Sequence, residues 1–282
     1  MAELVCHAYD PAWLEYRRAG VTATDITAII GLSPYDSLYS VYWRKVAGIE
    51  QPRSDRLDLG AYLEDYIAGR FYASLGADAS CVIGPSALYR NGERPWQLAT
   101  PDATLAYEPY THGGEPVEYK SWGTTDGWGD DGSDLIPLVV RAQLLWQMDV
   151  LGSAAGRVGC LFVPSGKFRS YRVEHQSELC MEFGTGSTDL PGYYPCDVCT
   201  DQRAMRVAGS DFMNRVANRD VPLVDGSLAT LNVLKARHPL ALKQPATIPD
   251  DLRDGWQAAR TARDYGEKAM RELAQRCDAV GR

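Results

Sequence analysis

The sequence predicts a mixed α/β fold of the α+β kind, in which a central antiparallel meander is flanked by helices. Apolar residues recur at helical spacing before residue 77. Short extended segments separated by turn clusters occupy residues 80–122. A further helix and two strands follow, and this order is typical of one mixed sheet with helices packed on it.

Two short helices are predicted within residues 22–48. Thr24 or Asp25 can cap the first helix, because their side-chain oxygens accept hydrogen bonds from the free N–H groups of a helix start. Gly31 and Gly48 are predicted to end the two helices.

A longer helix is predicted between Ser54, a plausible N-cap, and Gly76. Its apolar residues repeat along one stripe, which comprises Leu59, Leu63, Ile67 and Phe71. This stripe is expected to face the core.

Three antiparallel strands are predicted next, in CVIGPSALYR, PWQLATPDATLAY and EPVEYKSW. The segment GTTDGWGDDGSD is predicted to be a mobile loop. Pro137 then opens a helix that Gly152 ends, and the strands RVGCLFV and FRSYRVE follow around the turn PSG.

The pattern divides the chain into three parts: a core with an N-terminal helical segment over 1–180, a cysteine-containing insert over 181–203, and a C-terminal helical extension over 204–282. Within the extension, helices are predicted at 204–220 and 250–280. The insert is distinguished by its loss of any helical or strand periodicity.

Composition restricts the class of protein. The 282 residues are 45% hydrophobic and 23% charged, and no stretch approaches the roughly 18 apolar residues of a membrane span. The start MAELVCHAYD lacks a signal-peptide pattern, so we expect a cytoplasmic protein, in the host cytoplasm if phage-encoded. Seven cysteines argue against a disulfide framework. The net charge of −8 disfavours bulk coating of nucleic acid but allows local gripping of DNA.

Three residues carry the most specific chemistry. Glu118 and Lys120 lie two apart on a predicted strand and therefore face the same side. A hairpin register in which paired position numbers sum to about 220 places Asp102 opposite Glu118, at about 4.5–5.5 Å between Cβ atoms. A divalent ion, Mg²⁺ or Mn²⁺, can bridge two such carboxylates and support phosphodiester hydrolysis. The competing interpretation is an exposed charged strand edge.

Glu64 is a further acidic candidate, on the helix that ends at Gly76. Gly60, one turn earlier, costs a helix about 1 kcal/mol relative to Ala, which favours a position where another group approaches the backbone. The alternative is a solvated helix acid.

These residues carry a family resemblance. The set Gly60-x-x-x-Glu64, Thr100-Pro101-Asp102, Glu118-x-Lys120 and Gln143-x-x-x-Gln147 resembles the YqaJ-type viral recombinases, relatives of lambda exonuclease in the PD-(D/E)XK nuclease superfamily. The resemblance covers residues 15–175 well and 205–275 loosely. It implies the restriction-endonuclease-like fold of that superfamily.

The resemblance also implies roles for residues. Glu64, Asp102 and Glu118 match the family's metal-binding carboxylates, with the backbone carbonyl of Tyr119 as a further ligand. Asp102, Glu118, Lys120 and Gln143 are the expected catalytic residues; Lys120 matches the catalytic lysine, and Gln143 a glutamine that supports the site. Gln147 lies on the same helical face as Gln143 and is equally compatible with a surface position.

Arg18 and Thr24 lie where the family binds the 5′-phosphate of DNA, although Arg17 fits the spacing as closely. A hydroxyl near a helix N-terminus beside a guanidinium makes a good phosphate site on physical grounds as well.

The insert contains Cys196-Asp-Val-Cys199, and Cys180 or His175 can complete a zinc site with it. An iron–sulfur cluster and unliganded thiols remain alternatives. This feature departs from the family pattern.

Tryptophans can stack on bases. Trp128, in the predicted loop, is the better candidate for DNA contact, whereas Trp43 lies in an apolar helical pattern and is expected in the core.

The sequence and the resemblance together predict a Mg²⁺-dependent phage-type exonuclease that degrades duplex ends, 5′ to 3′, and leaves single strands for an annealing protein. A homo-oligomer and a monomer are both compatible, and no membrane partner is expected. The alternatives are a structure- or sequence-specific endonuclease and a catalytically inactive DNA-end-binding protein.

Overall fold

The computed structural model describes residues 2–8, 10–76, 81–107, 114–176, 196–239 and 250–280. Two compact units are distinguished, residues 1–236 and 237–282. The helices are α1 (Trp13–Arg18), α2 (Ala23–Ile29), α3 (Leu38–Ala47), α4 (Asp55–Ser74), α5 (Leu138–Leu151), α6 (Asp197–Ala217), α7 (Leu228–Arg237) and α8 (Asp250–Val280). The strands are β1 (Ala2–His7), β2 (Cys81–Gly84), β3 (Ala87–Asn91), β4 (Leu98–Ala99), β5 (Ala103–Tyr107), β6 (Glu115–Trp122), β7 (Ala155–Phe162) and β8 (Lys167–Glu174).

The strands form two sheets. The larger sheet has the order β2-β5-β6-β7-β8, in which only the β6–β7 pair is parallel, and α5 makes the crossover between these two strands. The smaller sheet has the order β1-β3-β4. The mixed fold with antiparallel strands at its centre is therefore confirmed.

The second sheet was not predicted. The segment CVIGPSALYR contains two strands, since β2 pairs with β5 of the larger sheet and β3 pairs with β1 and β4 of the smaller one. Pro85 follows β2 directly and has no N–H to continue a ladder. Strand partners depend on residues far apart in sequence, which a local pattern does not specify.

Helices α4 and α5 pack on opposite faces of the larger sheet. A side chain at Gly156 of β7 would collide with Leu144 of α5, whereas one at Gly159 would meet Phe71 of α4. On α4, Phe71 and Ile67 are fully buried, but Leu59 is 48% exposed, so only the second half of the predicted stripe faces the core.

The helix termini explain the local sequence around α2 and α3. Thr22 caps α2 in a reciprocal capping box with Asp25, so the cap lies at Thr22 rather than at the expected Thr24 or Asp25. Gly48 ends α3 in the left-handed conformation, and Gly152 does the same for α5, as predicted.

The C-terminal helices differ in part from expectation. Helix α6 begins at Asp197, so the Cys196–Cys199 segment forms its start rather than the end of an irregular insert. Helix α7 was not predicted, whereas the helix over 250–280 was. The division into 1–180, 181–203 and 204–282 stays a prediction, and most of the insert lies outside the described residues. No helix among the described residues is long and apolar enough to cross a membrane.

Candidate active site

Asp102 and Glu118 meet at the end of the β5–β6 hairpin. Ala103 pairs with Val117, a register in which position numbers sum to 220, as predicted, and Asp102 and Glu118 are the residues next to this last pair. The Tyr119 N–H donates to Asp102 Oδ2 at 2.6 Å. Where β5 begins, the Asp102 side chain thus accepts a hydrogen bond of the kind that a backbone carbonyl accepts within the sheet. This hydrogen bond fixes the Asp102 carboxylate beside β6.

Glu118 is 8% exposed, and both of its carboxylate oxygens have partners. Lys120 Nζ donates to Oε1, as expected for residues two apart on one strand. Gln147 Nε2, from α5 on the same face of the sheet, donates to Oε2 at 2.6 Å. The carboxylate is held in one orientation by an amine and an amide.

Burial and neighbouring carboxylates raise the pKa of Asp102 and of Glu64. Burial raises the pKa of Asp102 well above its usual value, and the negative charges of Glu118 and Glu64 raise it further. Burial, Glu118 and the neighbouring Asp65 likewise raise the pKa of Glu64. The site therefore holds more negative charge than its own cation offsets.

Lys120 is that cation. Burial lowers its pKa, but the carboxylates of Glu118 and Asp102 raise it by more, so that the net shift is upward and the ammonium form is favoured. Opposite Lys120 on β7 lies Cys160, whose pKa burial raises to about 12. Cys160 is therefore a neutral thiol beside the lysine at physiological pH.

A cleft of about 190 Å³ opens over the carboxylates. It is lined by the carboxylates and Gln147 together with residues of α1 and of the start of α2. Its lining comprises Ala8, Trp13, Arg17, Thr22, Ala23, Thr24, Glu64, Ser86, Thr100, Asp102, Glu118 and Gln147.

Arg17, rather than Arg18, lies at the cleft. Its guanidinium stacks over the Trp13 ring at 4.5 Å, and Thr24 lines the same cleft. Arg18 instead forms an ion pair with Glu50 at 3.6 Å and does not line the cleft. The cleft is therefore lined by Arg17 and not by Arg18, because the direction of a helical side chain depends on how α1 packs, and a phosphate-binding role for either residue stays a prediction.

A close backbone contact holds α2 at the cleft. Val21 N–H donates to Trp96 O at 2.7 Å, and Leu98 N–H donates to Val21 O at 2.9 Å. A Cβ at Gly20 would lie 2.3 Å from Trp96 O, so only glycine permits this approach. The contact lies directly before Thr22 and Thr24, which line the cleft together with the carboxylates.

A model of the YqaJ-like viral recombinase domain matches residues 12–156, which is 145 of the 282 residues. The chain belongs to this family. The matched region includes every residue of the cleft from Trp13 to Gln147. Among curated proteins, no significant match to the sequence was found.

One solved structure shows the same fold at a TM-score above 0.5. The crystal structure of LHK-Exo in complex with dAMP is similar over 82% of this chain and 98% of that chain, with 12% identity and a TM-score of 0.51. A structure of LHK-Exo, an alkaline exonuclease from Laribacter hongkongensis, matches with 14% identity over 74% of this chain and 100% of that one, with a TM-score of 0.46. At these identities the likeness shows the fold alone, which is the expected PD-(D/E)XK-like one.

In this YqaJ-like chain, Gln147 contacts Glu118 and lines the cleft, whereas Gln143 does not line it. Gln147 is 1% exposed and Gln143 is partly exposed. Sequence spacing placed the two on one helical face without distinguishing them. The docking of α5 on the sheet selects Gln147 for contact with Glu118.

Trp128 is not a surface residue. It is 7% exposed and packs against Trp122, Phe162 and Tyr171, with ring centroids 5.0–5.8 Å apart. The prediction that Trp128 contacts DNA is wrong, because the Gly/Asp-rich segment folds this ring into the core. Trp43 packs at the core edge, as expected.

Cys196 and Cys199 lie beside His175, and the three side chains form a group with metal-ligand spacing. Cys180, the other expected ligand, lies outside the described residues. Within the part of the chain that the structure describes, this group is separate from the residues that line the cleft.

Proposed function

We propose that this YqaJ-like protein is a divalent-metal-dependent deoxyribonuclease that hydrolyses phosphodiester bonds from duplex DNA ends, 5′ to 3′, during recombination. The observation that carries the proposal is the convergence of Glu64, Asp102 and Glu118 in one cleft, with Lys120 in contact with Glu118. The family match and the fold shared with LHK-Exo, described as an alkaline exonuclease, support it.

The donor set fits a hard cation. Glu64, Asp102, Glu118 and the carbonyl of Tyr119 would hold Mg²⁺ or Mn²⁺, which prefer oxygen ligands. Tyr119 N–H points toward Asp102, and the N–H and C=O of one strand residue point to the same side. A bound ion supplies a more acidic water molecule and neutralises charge on the phosphate.

The chain's own residues orient the groups of the site and stabilise the charge that develops on the phosphate. Lys120 carries a positive charge beside Glu118, where it can position the attacking water or stabilise charge that develops on a phosphate oxygen. Gln147 holds Glu118 in place from α5. Asp102 is held by a backbone N–H, so its position does not depend on a flexible partner.

Recognition of a DNA end is assigned to the other side of the cleft. Arg17 offers a guanidinium, and Thr24 offers a hydroxyl, to a terminal 5′-phosphate. This assignment replaces the pair of Arg18 and Thr24 expected from sequence. Duplex ends as substrate, a single-strand annealing partner and a homo-oligomer remain predictions.

The test measures nucleotide release from linear duplex DNA with Mg²⁺. Glu118→Gln and Lys120→Met should lower the rate by about 10²–10³-fold or more, since the first removes a charged metal ligand and the second removes the cation that acts on the attacking water or the phosphate. The matched controls are Glu93→Gln and Lys235→Met, which change exposed residues outside the cleft lining. Equal rates in all five proteins would overturn the proposal.

Substrate geometry separates exonuclease from endonuclease. Cleavage of a covalently closed circle at the rate of linear DNA would indicate an endonuclease. Linear DNA labelled at the 5′ or the 3′ end reports polarity, and early release of the 5′ label is expected. Arg17→Ala should remove any preference for 5′-phosphorylated over 5′-hydroxyl ends, whereas Arg18→Ala should retain it.

A further inference from the structure

His175, Cys196 and Cys199 direct three ligand atoms at one point. Cys196 Sγ and Cys199 Sγ lie 3.5 Å apart, and His175 Nδ1 lies 3.8 Å from the first sulfur and 3.3 Å from the second. Cys196 and Cys199 are 5% and 0% exposed, and His175 is partly buried. The group is shielded from solvent, as a structural metal site usually is.

The distances fit a tetrahedral zinc ion. With Zn–S of about 2.3 Å and Zn–N of about 2.0–2.1 Å, tetrahedral angles place two sulfurs about 3.8 Å apart and a sulfur and a nitrogen about 3.5–3.6 Å apart. The three distances here, 3.5, 3.8 and 3.3 Å, each agree to about 0.3 Å. The sulfurs are too far apart for a disulfide bond, which requires about 2.0 Å.

The fold builds the site from two elements. His175 directly follows β8, and its N–H donates to Ala154 O at 2.9 Å, which fixes the end of that strand. Cys196 is the N-cap of α6, and Cys199 lies in its first turn, so the helix presents both thiols on one side. Soft thiolates with an imidazole select zinc over Mg²⁺, which takes oxygen ligands in the cleft.

Helix α6 is joined to the body that supports the cleft. Gln202 Nε2 donates to Leu145 O of α5 at 3.1 Å, and Arg206 pairs with Asp149 at 3.2 Å. Gly209 packs so closely on Trp96 that a Cβ would lie 2.7 Å from the ring. A link at the start of α6 therefore stabilises the position of α6. Helix α6 packs on α5, and α5 carries Gln147.

We propose that His175, Cys196 and Cys199 bind one zinc ion, which fastens the start of α6 to the end of β8 and is structural rather than catalytic. The site closes the connection between residues 175 and 196 into a loop, and so stabilises the folded state. The described residues supply three ligands of the tetrahedron.

The test measures metal content and stability in the full chain, purified without added chelator. Wild type should contain about one zinc per chain by elemental analysis, and Cys196→Ser, Cys199→Ser and His175→Ala should each lose most of it. Cys6→Ser and His7→Ala are matched controls away from the cluster and should retain wild-type zinc.

A zinc-release titration uses the wild-type protein alone. Its result therefore does not depend on whether a variant with a changed buried cysteine folds. A thiol reagent should release zinc in step with modification of cysteines, and removal of zinc by a strong chelator should lower Tm. Mg²⁺-dependent nuclease chemistry does not enter either measurement. Three results would overturn the proposal. They are a zinc content of wild type no higher than that of Cys199→Ser, bound iron in place of zinc, and a Cys196–Cys199 disulfide in the native protein.

Discussion

Two clusters of charged residues differ in whether their positive and negative charges balance. In the Asp25 cluster, one carboxylate meets Lys45 at 2.6 Å and Arg44 at 3.6 Å, and Asp25 and Lys45 are each 4% exposed. Among the cleft carboxylates Glu64, Asp102 and Glu118, the cation in hydrogen-bond contact is Lys120. Because Arg44 also pairs with Asp36 at 3.0 Å, the two cations of the first cluster meet two carboxylates, whereas the second cluster has excess negative charge.

The pKa shifts follow this difference. Burial raises the pKa of Asp25, but Lys45 and Arg44 lower it by more, and the net shift is downward. Burial and like charges both raise the pKa of Asp102. A structural cluster supplies its own counter-charges, whereas the cleft carboxylates outnumber the cation that they contact, an imbalance that is typical of functional sites. The comparison therefore locates the candidate functional site by its excess of negative over positive charge.

The largest effect is expected at the balanced cluster. Asp25→Asn keeps an acceptor for the Thr22 N–H but leaves the buried Lys45 charge unpaired, which should cost about 3–5 kcal/mol of unfolding free energy. Urea unfolding in EDTA measures this cost. A change below about 1 kcal/mol would contradict the structural role assigned to Asp25.

Mg²⁺ should stabilise the protein through the unbalanced cluster. At a concentration 100 times its Kd, a bound ion adds about 2.7 kcal/mol to the unfolding free energy. Thermal unfolding across a Mg²⁺ titration should show Tm rising in wild type and in Glu93→Gln, but not in Asp102→Asn. A rise of equal size in Asp102→Asn would place the ion elsewhere.

Gln147→Met should weaken Mg²⁺ binding by about tenfold, or about 1.4 kcal/mol, because it removes the amide that orients Glu118. Gln143→Met, one turn away on α5, is the matched control and should bind Mg²⁺ as wild type does. If Gln143→Met alone weakens binding, the role expected for Gln143 from the family pattern holds instead.

The smallest effect is a gain of stability. Asp102→Asn removes one of the crowded negative charges and should raise Tm in EDTA at neutral pH by about 2–4 °C, which corresponds to about 1 kcal/mol in a domain of this size. The same substitution should abolish cleavage of DNA. A lower Tm would mean that the Asp102 carboxylate stabilises the metal-free fold.

The pH dependence should differ in sign between the two clusters. The raised pKa of Asp102 means that its ionisation opposes folding above the folded pKa, and this penalty disappears as pH falls through that pKa toward the unfolded value of about 3.9. The Tm advantage of Asp102→Asn should therefore shrink on acidification. Asp25, with a lowered pKa, stabilises fully above its unfolded pKa and loses this stabilisation as pH falls through the folded pKa.

Much of the site was predictable because it depends on local geometry. Strand alternation places Glu118 and Lys120 on one side, and the hairpin register follows from the positions of two short strands and their turn. That register then constrains the position of Asp102 relative to Glu118. Gly48 and Gly152 mark helix ends for an equally local reason, since both have positive φ.

What the sequence alone determined is thus the order of the elements and the motif whose members lie on one hairpin. Only the tertiary structure decided which of Arg17 and Arg18 reaches the cleft, that Gln147 contacts Glu118, and that His175 lies beside the two cysteines. It also buried Trp128, which sequence had assigned to DNA contact. These outcomes depend on packing between residues far apart in the chain, where a rotation of one residue along a helix changes the neighbour that a side chain meets.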